Sequence, residues 1–143
     1  MAITPYLYYE DVAGAVKWLA KAFGFRKHGV QMKGPDGKIH HAAMKLGEDV
    51  IMMGYPGPKY RNPKRLGQTT QNLYVQVENV DKHFERAKKA GATILEEPED
   101  QFYGQRRYGA ADPEGHHWFF GHDIVSSAAK KRASARSKPK RTR

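Results

Sequence analysis

The chain has 143 residues and no cysteine, enough for one domain with a sizeable core, and it excludes disulfides, thiolate metal sites and a cysteine nucleophile. Its net charge of +10 is uneven: residues 130–143, KKRASARSKPKRTR, hold eight of the 25 Lys and Arg and no acid, leaving 17 cations against 15 acids elsewhere. No apolar run approaches the ~20 residues of a membrane span, and MAITPYLYYEDV lacks the pattern of a signal peptide, so a soluble, cytoplasmic protein is expected.

Ile3 to Tyr9 reads as a strand. Asp11 is a good helix N-cap, Val12, Val16, Leu19 and Phe23 follow at helical spacing, and Gly24 is placed to end the helix. Phe25 to Met32 reads as a strand, Gly34-Pro35-Asp36-Gly37 as a turn, and Ile39 to Leu46 with Val50 to Gly54 as a hairpin. Tyr55 to Gln68, rich in Pro and Gly, reads as a long loop or linker. The order then recurs. Thr70 to Val77 is a strand, and Val80, Phe84 and Ala87 mark a helix between Asn79 and Gly91. Thr93 to Leu95 is a short strand, with a loop from Glu96 to Tyr103. Arg106 to Ala111 and His117 to Ile124 then flank Asp112-Pro113-Glu114-Gly115, a tight-turn sequence.

An offset of 68 places Tyr6 on Tyr74, Leu7 on Val75 and Val12 on Val80. The reading is an α+β protein of two β-α-β-β-β modules, at about 3–55 and 70–124, within a domain of residues 1–125 and followed by a basic tail at 126–143.

The duplication, together with LYVQVENVDKHFERAKKAGA and FYGQRRYGAADPEGHHWFF, resembles the vicinal oxygen chelate superfamily of glyoxalases, bleomycin-resistance proteins and extradiol dioxygenases. It looks closest to the bleomycin-resistance-like, PhnB-like branch. The resemblance implies a curved, mostly antiparallel U-shaped sheet with helices outside, and a homodimer with pockets near the subunit boundary. It also places metal ligands of the family's enzymes on the first and fourth strands of each module. Those places hold Thr4, Met52, Asn72 and Phe119 here. None offers the imidazole or carboxylate that catalytic Zn, Ni or Fe takes, so no metal, cofactor or catalytic residue is expected.

Strand alternation assigns faces. Leu7, Val75, Trp118 and Phe120 suit the helix side, which sends Tyr6, Tyr8, Met52, Asn72, Tyr74, Gln76, His117 and Phe119 to the concave side, with Tyr103, Arg106, Arg107 and Tyr108 at a rim. The expected ligand-binding set is Tyr6, Tyr8, Met52, Asn72, Tyr74, Tyr103, Arg107, Tyr108, His117 and Phe119. An aromatic, Met-lined pocket with few polar groups suits a small planar ligand, and the apparent lack of acids there points to a neutral or anionic one. Interior packing is the plain alternative for the tyrosines, and a surface pair for Arg106-Arg107. His40, His117 and His122 could in principle gather a metal, but no carboxylate joins them at the superfamily's spacing. The expected function is metal-free small-molecule binding of the drug-sequestering type. The alternatives are a superfamily enzyme with a non-standard site, using His117 or Tyr74 as acid–base group, and nonspecific nucleic-acid contact through the cationic tail.

Overall fold

A computed structural model describes residues 1–124; the basic tail and its expected contacts lie outside the described residues. The elements run β1 (Tyr6–Tyr8), α1 (Val12–Phe23), β2 (Arg26–Lys33), β3 (Ile39–Leu46), β4 (Asp49–Gly54), α2 (Pro63–Leu66), β5 (Asn72–Gln76), α3 (Val80–Lys89), β6 (Thr93–Asp100), β7 (Gln105–Ala111) and β8 (His117–Asp123). They form the two expected β-α-β-β-β modules.

Each helix follows from its local code. The Asp11 carboxylate accepts from the Gly14 N–H at 2.9 Å, and Gly24 closes α1 at φ 82°, where a Cβ would be strained. Val12, Ala15, Val16, Leu19, Ala22 and Phe23 form the buried face between those caps. Asn79 caps α3, whose Val80, Phe84 and Ala87 are buried. α2 lies inside the expected loop and is a single capped turn: Asn62 accepts from the Arg65 N–H, Pro63 starts it and Gly67 ends it.

The modules build two four-stranded sheets, ordered β1-β4-β3-β2 and β5-β8-β7-β6. In each, the first strand pairs in parallel with the last, and the other pairs are antiparallel. The duplication extends to single bonds: Tyr9 N–H donates to the Gly54 carbonyl and Val77 N–H to that of Gly121, both at 2.9 Å. β6 is longer than its sequence suggests. Glu96 to Asp100 lacks apolar alternation and contains Pro98, yet it continues to pair with β7 across register shifts. It is an edge strand, so Pro98 removes no central ladder bond and the acids remain in water.

Both sheets cover one face with helices and leave the other open. Leu7, Met44, Met53, Tyr108, Ala110, Trp118 and Phe120 join α1 and α3 in one core. Phe23 of α1 reaches across to the second sheet, with ring centroids 5.6 Å from Trp118 and 4.6 Å from Phe120. Arg86 of α3 donates to the Ala20 and Lys21 carbonyls at the end of α1, supplying cationic charge where helix carbonyls are unpaired. The covered faces thus share one core, and the open faces look outward from it.

The β7–β8 turn pins both modules and the linker. Asp112 is buried and accepts four bonds: from Tyr9 Oη at 2.6 Å, Trp118 Nε1 at 3.1 Å, and the Glu114 and His116 N–H groups at 3.0 Å each. Burial first, and then the Asp112 carboxylate, push the Tyr9 phenol pKa well up. Glu114, also buried, accepts from the Glu10 and Asp11 N–H groups and from Asn62 Nδ2. Two buried carboxylates are tolerable because donors saturate them.

Candidate functional site

The outward side chains of β1 are aromatic, as is Tyr74, which stands between Asn72 and Gln76 on the outward face of β5. Tyr6, Tyr8 and Tyr74 are 48%, 50% and 42% exposed, whereas their neighbour Leu7 is buried. Alternation therefore runs as expected, and interior packing does not account for these rings. The strand beside each ring makes room for it. An ideal Cβ on Gly54 would lie 2.5 Å from Tyr6 Oη, one on Gly121 2.5 Å from Tyr74 Oη, and one on Gly109 2.5 Å from Cε1 of Phe119. Each ring lies across a glycine, in the space a side chain would fill. Tyr6/Gly54 and Tyr74/Gly121 are repeat-related.

On the first sheet, Tyr6 donates to or accepts from His41 Nδ1 at 2.9 Å, and its ring meets Tyr8 edge-on with centroids 5.9 Å apart. Tyr60 packs edge-on against Tyr8 and donates to the Tyr8 carbonyl. Its phenol is pushed up to about 12 by burial and then by Glu114. Met52 stands opposite both Tyr6 and Ala43 in the register, on the same face.

On the second sheet, Tyr74 Oη donates to Gln105 Oε1 at 3.0 Å, which also accepts from Gln76 Nε2 at 3.2 Å, while Gln105 Nε2 donates to Asp123. Partial burial and then Tyr103 raise the Tyr74 pKa, which favours the neutral, hydrogen-bonding phenol. Arg107 lies over the Phe119 ring, 5.2 Å from its centroid. Its Nη1 donates to Tyr103 Oη at 3.1 Å, its Nη2 pairs with Glu96, and its Nε is buried without a partner.

Three expectations are corrected. Tyr108 is not at the rim: as the strand neighbour of Arg107 it points the other way, fully buried against Phe84, His83 and Phe120. Arg106 likewise turns to the helix side and pairs with Asp81 and Asp100. The face is not free of acids, since Glu96 and Asp123 stand on it. His117 shares the face but lines a separate hollow of about 310 Å³ with Lys64, Gln68 and Thr93, beneath α2. His122 lies on the helix side, accepting from the Val80 N–H, so His40, His117 and His122 do not converge. Asn72 stands at the start of β5, opposite His117.

Sequence reasoning missed His41, Tyr60, Gln105 and Glu96. Alternation along β7 would have found Gln105, and alternation along β3, where His41 and Ala43 share a face, would have found His41. Tyr60 and Glu96 carried no local signal, one being in the linker and the other beyond a register shift.

A larger hollow of about 430 Å³ runs along the seam between residues 2–5, β4 and β5, over Phe25, Ile51, Leu73, Val75 and Trp118. Its floor is made of core-side residues, and Tyr74 and Gln76 also line it, so it is a gap between the two sheets that reaches the open face of β5. Thr4 lines it, whereas Met52, Asn72 and Phe119 do not, and among the described residues no three of His, Asp or Glu form a group that could hold a metal ion. The donors at the superfamily's ligand positions do not fit a catalytic metal. No helix among the described residues is long and apolar enough to cross a membrane.

Comparison with known proteins agrees with this geometry. A family model described as the Glyoxalase/Bleomycin resistance protein/Dioxygenase superfamily matches residues 3–120. An uncharacterized protein of Mycobacterium bovis is 38% identical over 128 residues, spanning 86% of this chain and 84% of that one. Among solved structures, TioX from Micromonospora sp. ML1 is 34% identical with a TM-score of 0.71, covering 87% of this chain and 99% of its own. The fosfomycin resistance protein FosX from Listeria monocytogenes shares the fold, with a TM-score of 0.63 at 16% identity, over 87% of this chain and 94% of its own.

Proposed function

This chain belongs to the Glyoxalase/Bleomycin resistance protein/Dioxygenase superfamily, and from that premise we propose that it is a small-molecule binding protein whose planar ligand stacks on the open sheet faces. The observation that carries the reading is the pair of exposed rings Tyr6 and Tyr74 lying across Gly54 and Gly121, with Phe119 across Gly109 beneath the Arg107 guanidinium. A ring laid over a glycine is held near the sheet and turns a π-face towards whatever covers it. Such stacking contributes on the order of 1 kcal/mol per ring beyond area burial. Binding of this kind needs no nucleophile and no metal. It suits sequestration of a planar compound.

The test is calorimetric titration with a series of planar bicyclic compounds and their saturated, non-planar counterparts. Planar compounds are expected to bind the wild-type chain and the saturated ones to fail. Equal binding of both would sink the reading.

The same faces support a homodimer. Tyr6, Tyr8 and Tyr74 expose too much aromatic surface for an isolated face, and the outer edge strands carry opposite charge. β2 holds Arg26, Lys27 and Lys33 with no acid, and β6 holds Glu96, Glu97, Glu99 and Asp100 with no base. In the proposed assembly, the first sheet of one copy faces the second sheet of the other. The pocket then closes between unlike faces with complementary edges.

A further inference from the structure

Among the described residues, Arg107 is the one guanidinium that lies among the stacking rings, and its hydrogen bonding is incomplete. Nη1 donates to Tyr103 Oη. Glu96 approaches Nη2 with both oxygens, at 3.1 and 3.5 Å, and does not bridge Nη2 and Nε. Nε is buried and has no partner. Nε and Nη2 form one edge of the guanidinium fork, the edge that binds a carboxylate through two parallel bonds. Here half of that edge is unused, and the other half is held by a side chain 44% exposed and free to swing into water. The guanidinium carbon lies over the Phe119 ring, 5.2 Å from its centroid, on the face that carries Tyr74 and its Gln105 partner. Of the other acids on this face, Asp123 is engaged by Gln105, and Glu99 stands opposite Arg107 in the register.

We infer that the ligand is an aromatic carboxylic acid, its carboxylate taking the Nε–Nη2 edge of Arg107 and displacing Glu96, and its ring stacking beside Phe119. This deepens the planar-ligand reading and rests on it. Glu96 then acts as an internal stand-in. It neutralises Arg107 in the empty face, and a ligand must outcompete it. Neutral planar compounds gain only the stacking. Planar cations meet the guanidinium and are disfavoured.

The experiment titrates the full chain with 2-naphthoate, 2-naphthamide and 2-naphthylmethylammonium at neutral pH. The three share one ring system and differ in charge. Naphthoate is expected to bind at least roughly tenfold tighter than naphthamide, the range of a charge-assisted pair. In Arg107→Gln the ratio of the two should fall to about one. In Glu96→Gln, which changes a half-exposed side chain, naphthoate should bind several-fold tighter because its competitor has lost its charge. Equal affinity for naphthoate and naphthamide, a preference for the ammonium compound, a carboxylate preference that survives Arg107→Gln, or no gain in Glu96→Gln would each overturn the inference while leaving planar binding in place. Failure of all three compounds to bind would overturn the planar-ligand reading and this inference with it.

Discussion

At the scale of single residues, the glycines under the rings separate binding from stability. In Gly121→Ala the new Cβ would meet Tyr74 Oη at 2.5 Å and Gln105 Oε1 at 2.7 Å. Both are the far ends of exposed or half-exposed side chains, so they can move outward and the strand can stay. The variant is expected to lose about 1 kcal/mol or less of stability in urea unfolding, and to bind planar ligands about tenfold more weakly because the Tyr74 ring leaves its seat. Tyr74→Ala should weaken binding to a similar degree. Phe84→Ala is the contrast: its ring is buried against Tyr108, and its loss should cost ~3–5 kcal/mol. If Tyr74→Ala unfolds the chain as readily as Phe84→Ala, the ring is packing and not a binding surface.

At the scale of elements, two polar contacts hold the modules together and respond to different tests. Asp112 joins the β7–β8 turn to β8 and to the segment after β1. Asp112→Ala would strand Tyr9 Oη, Trp118 Nε1 and two backbone N–H groups in or near the core. With each stranded buried donor costing ~1–3 kcal/mol, a loss of at least ~3 kcal/mol is expected in chemical denaturation. His83 joins α3 to α1 and β7: Nε2 donates to the Phe23 carbonyl at 3.0 Å, so Nδ1 is the acceptor for the Tyr108 hydroxyl. Burial, first among the causes, lowers its pKa below the usual 6.5. The unfolded chain then takes up this proton at a higher pH than the folded one. The neutral imidazole's contribution is therefore complete above about 6.5 and declines as pH falls from there towards the lowered folded value. Melting temperature should drop between pH 7 and pH 5 more steeply in the wild type than in His83→Gln. Parallel curves would remove His83 as the cause.

At the scale of the whole molecule, the proposed dimer joins the outward-facing aromatic sheets and sets the basic β2 edge of one copy against the acidic β6 edge of the other. Light scattering is expected to give twice the 16.2 kDa chain mass. Reversing the charge of β6 with Glu97→Lys and Glu99→Lys should weaken the dimer, because Arg106 and Arg107 pair with Asp100 and Glu96 and leave these two acids for a partner. Mixing that variant with a Lys27→Glu, Lys33→Glu chain should restore association. A mass of one chain at micromolar concentration would rule the assembly out.

What the sequence determined by itself was local in origin. Asp11 and Gly24, like Asn79 and Gly91, delimit helices because caps act within one turn of backbone. Tyr6, Leu7, Tyr74, Val75, Phe119 and Phe120 reveal their faces because a strand alternates with period two. The repeat declared two like modules. Only the tertiary structure decided matters that depend on register between distant strands. Among these are the persistence of β6 to Asp100, the pairing of Glu96 with Arg107, the glycine under each ring, and the core position of Tyr108. The docking of α1 on α3, which turns both aromatic faces outward, is of the same kind. These features arise where segments far apart in the chain meet, and no pattern within either segment encodes the meeting.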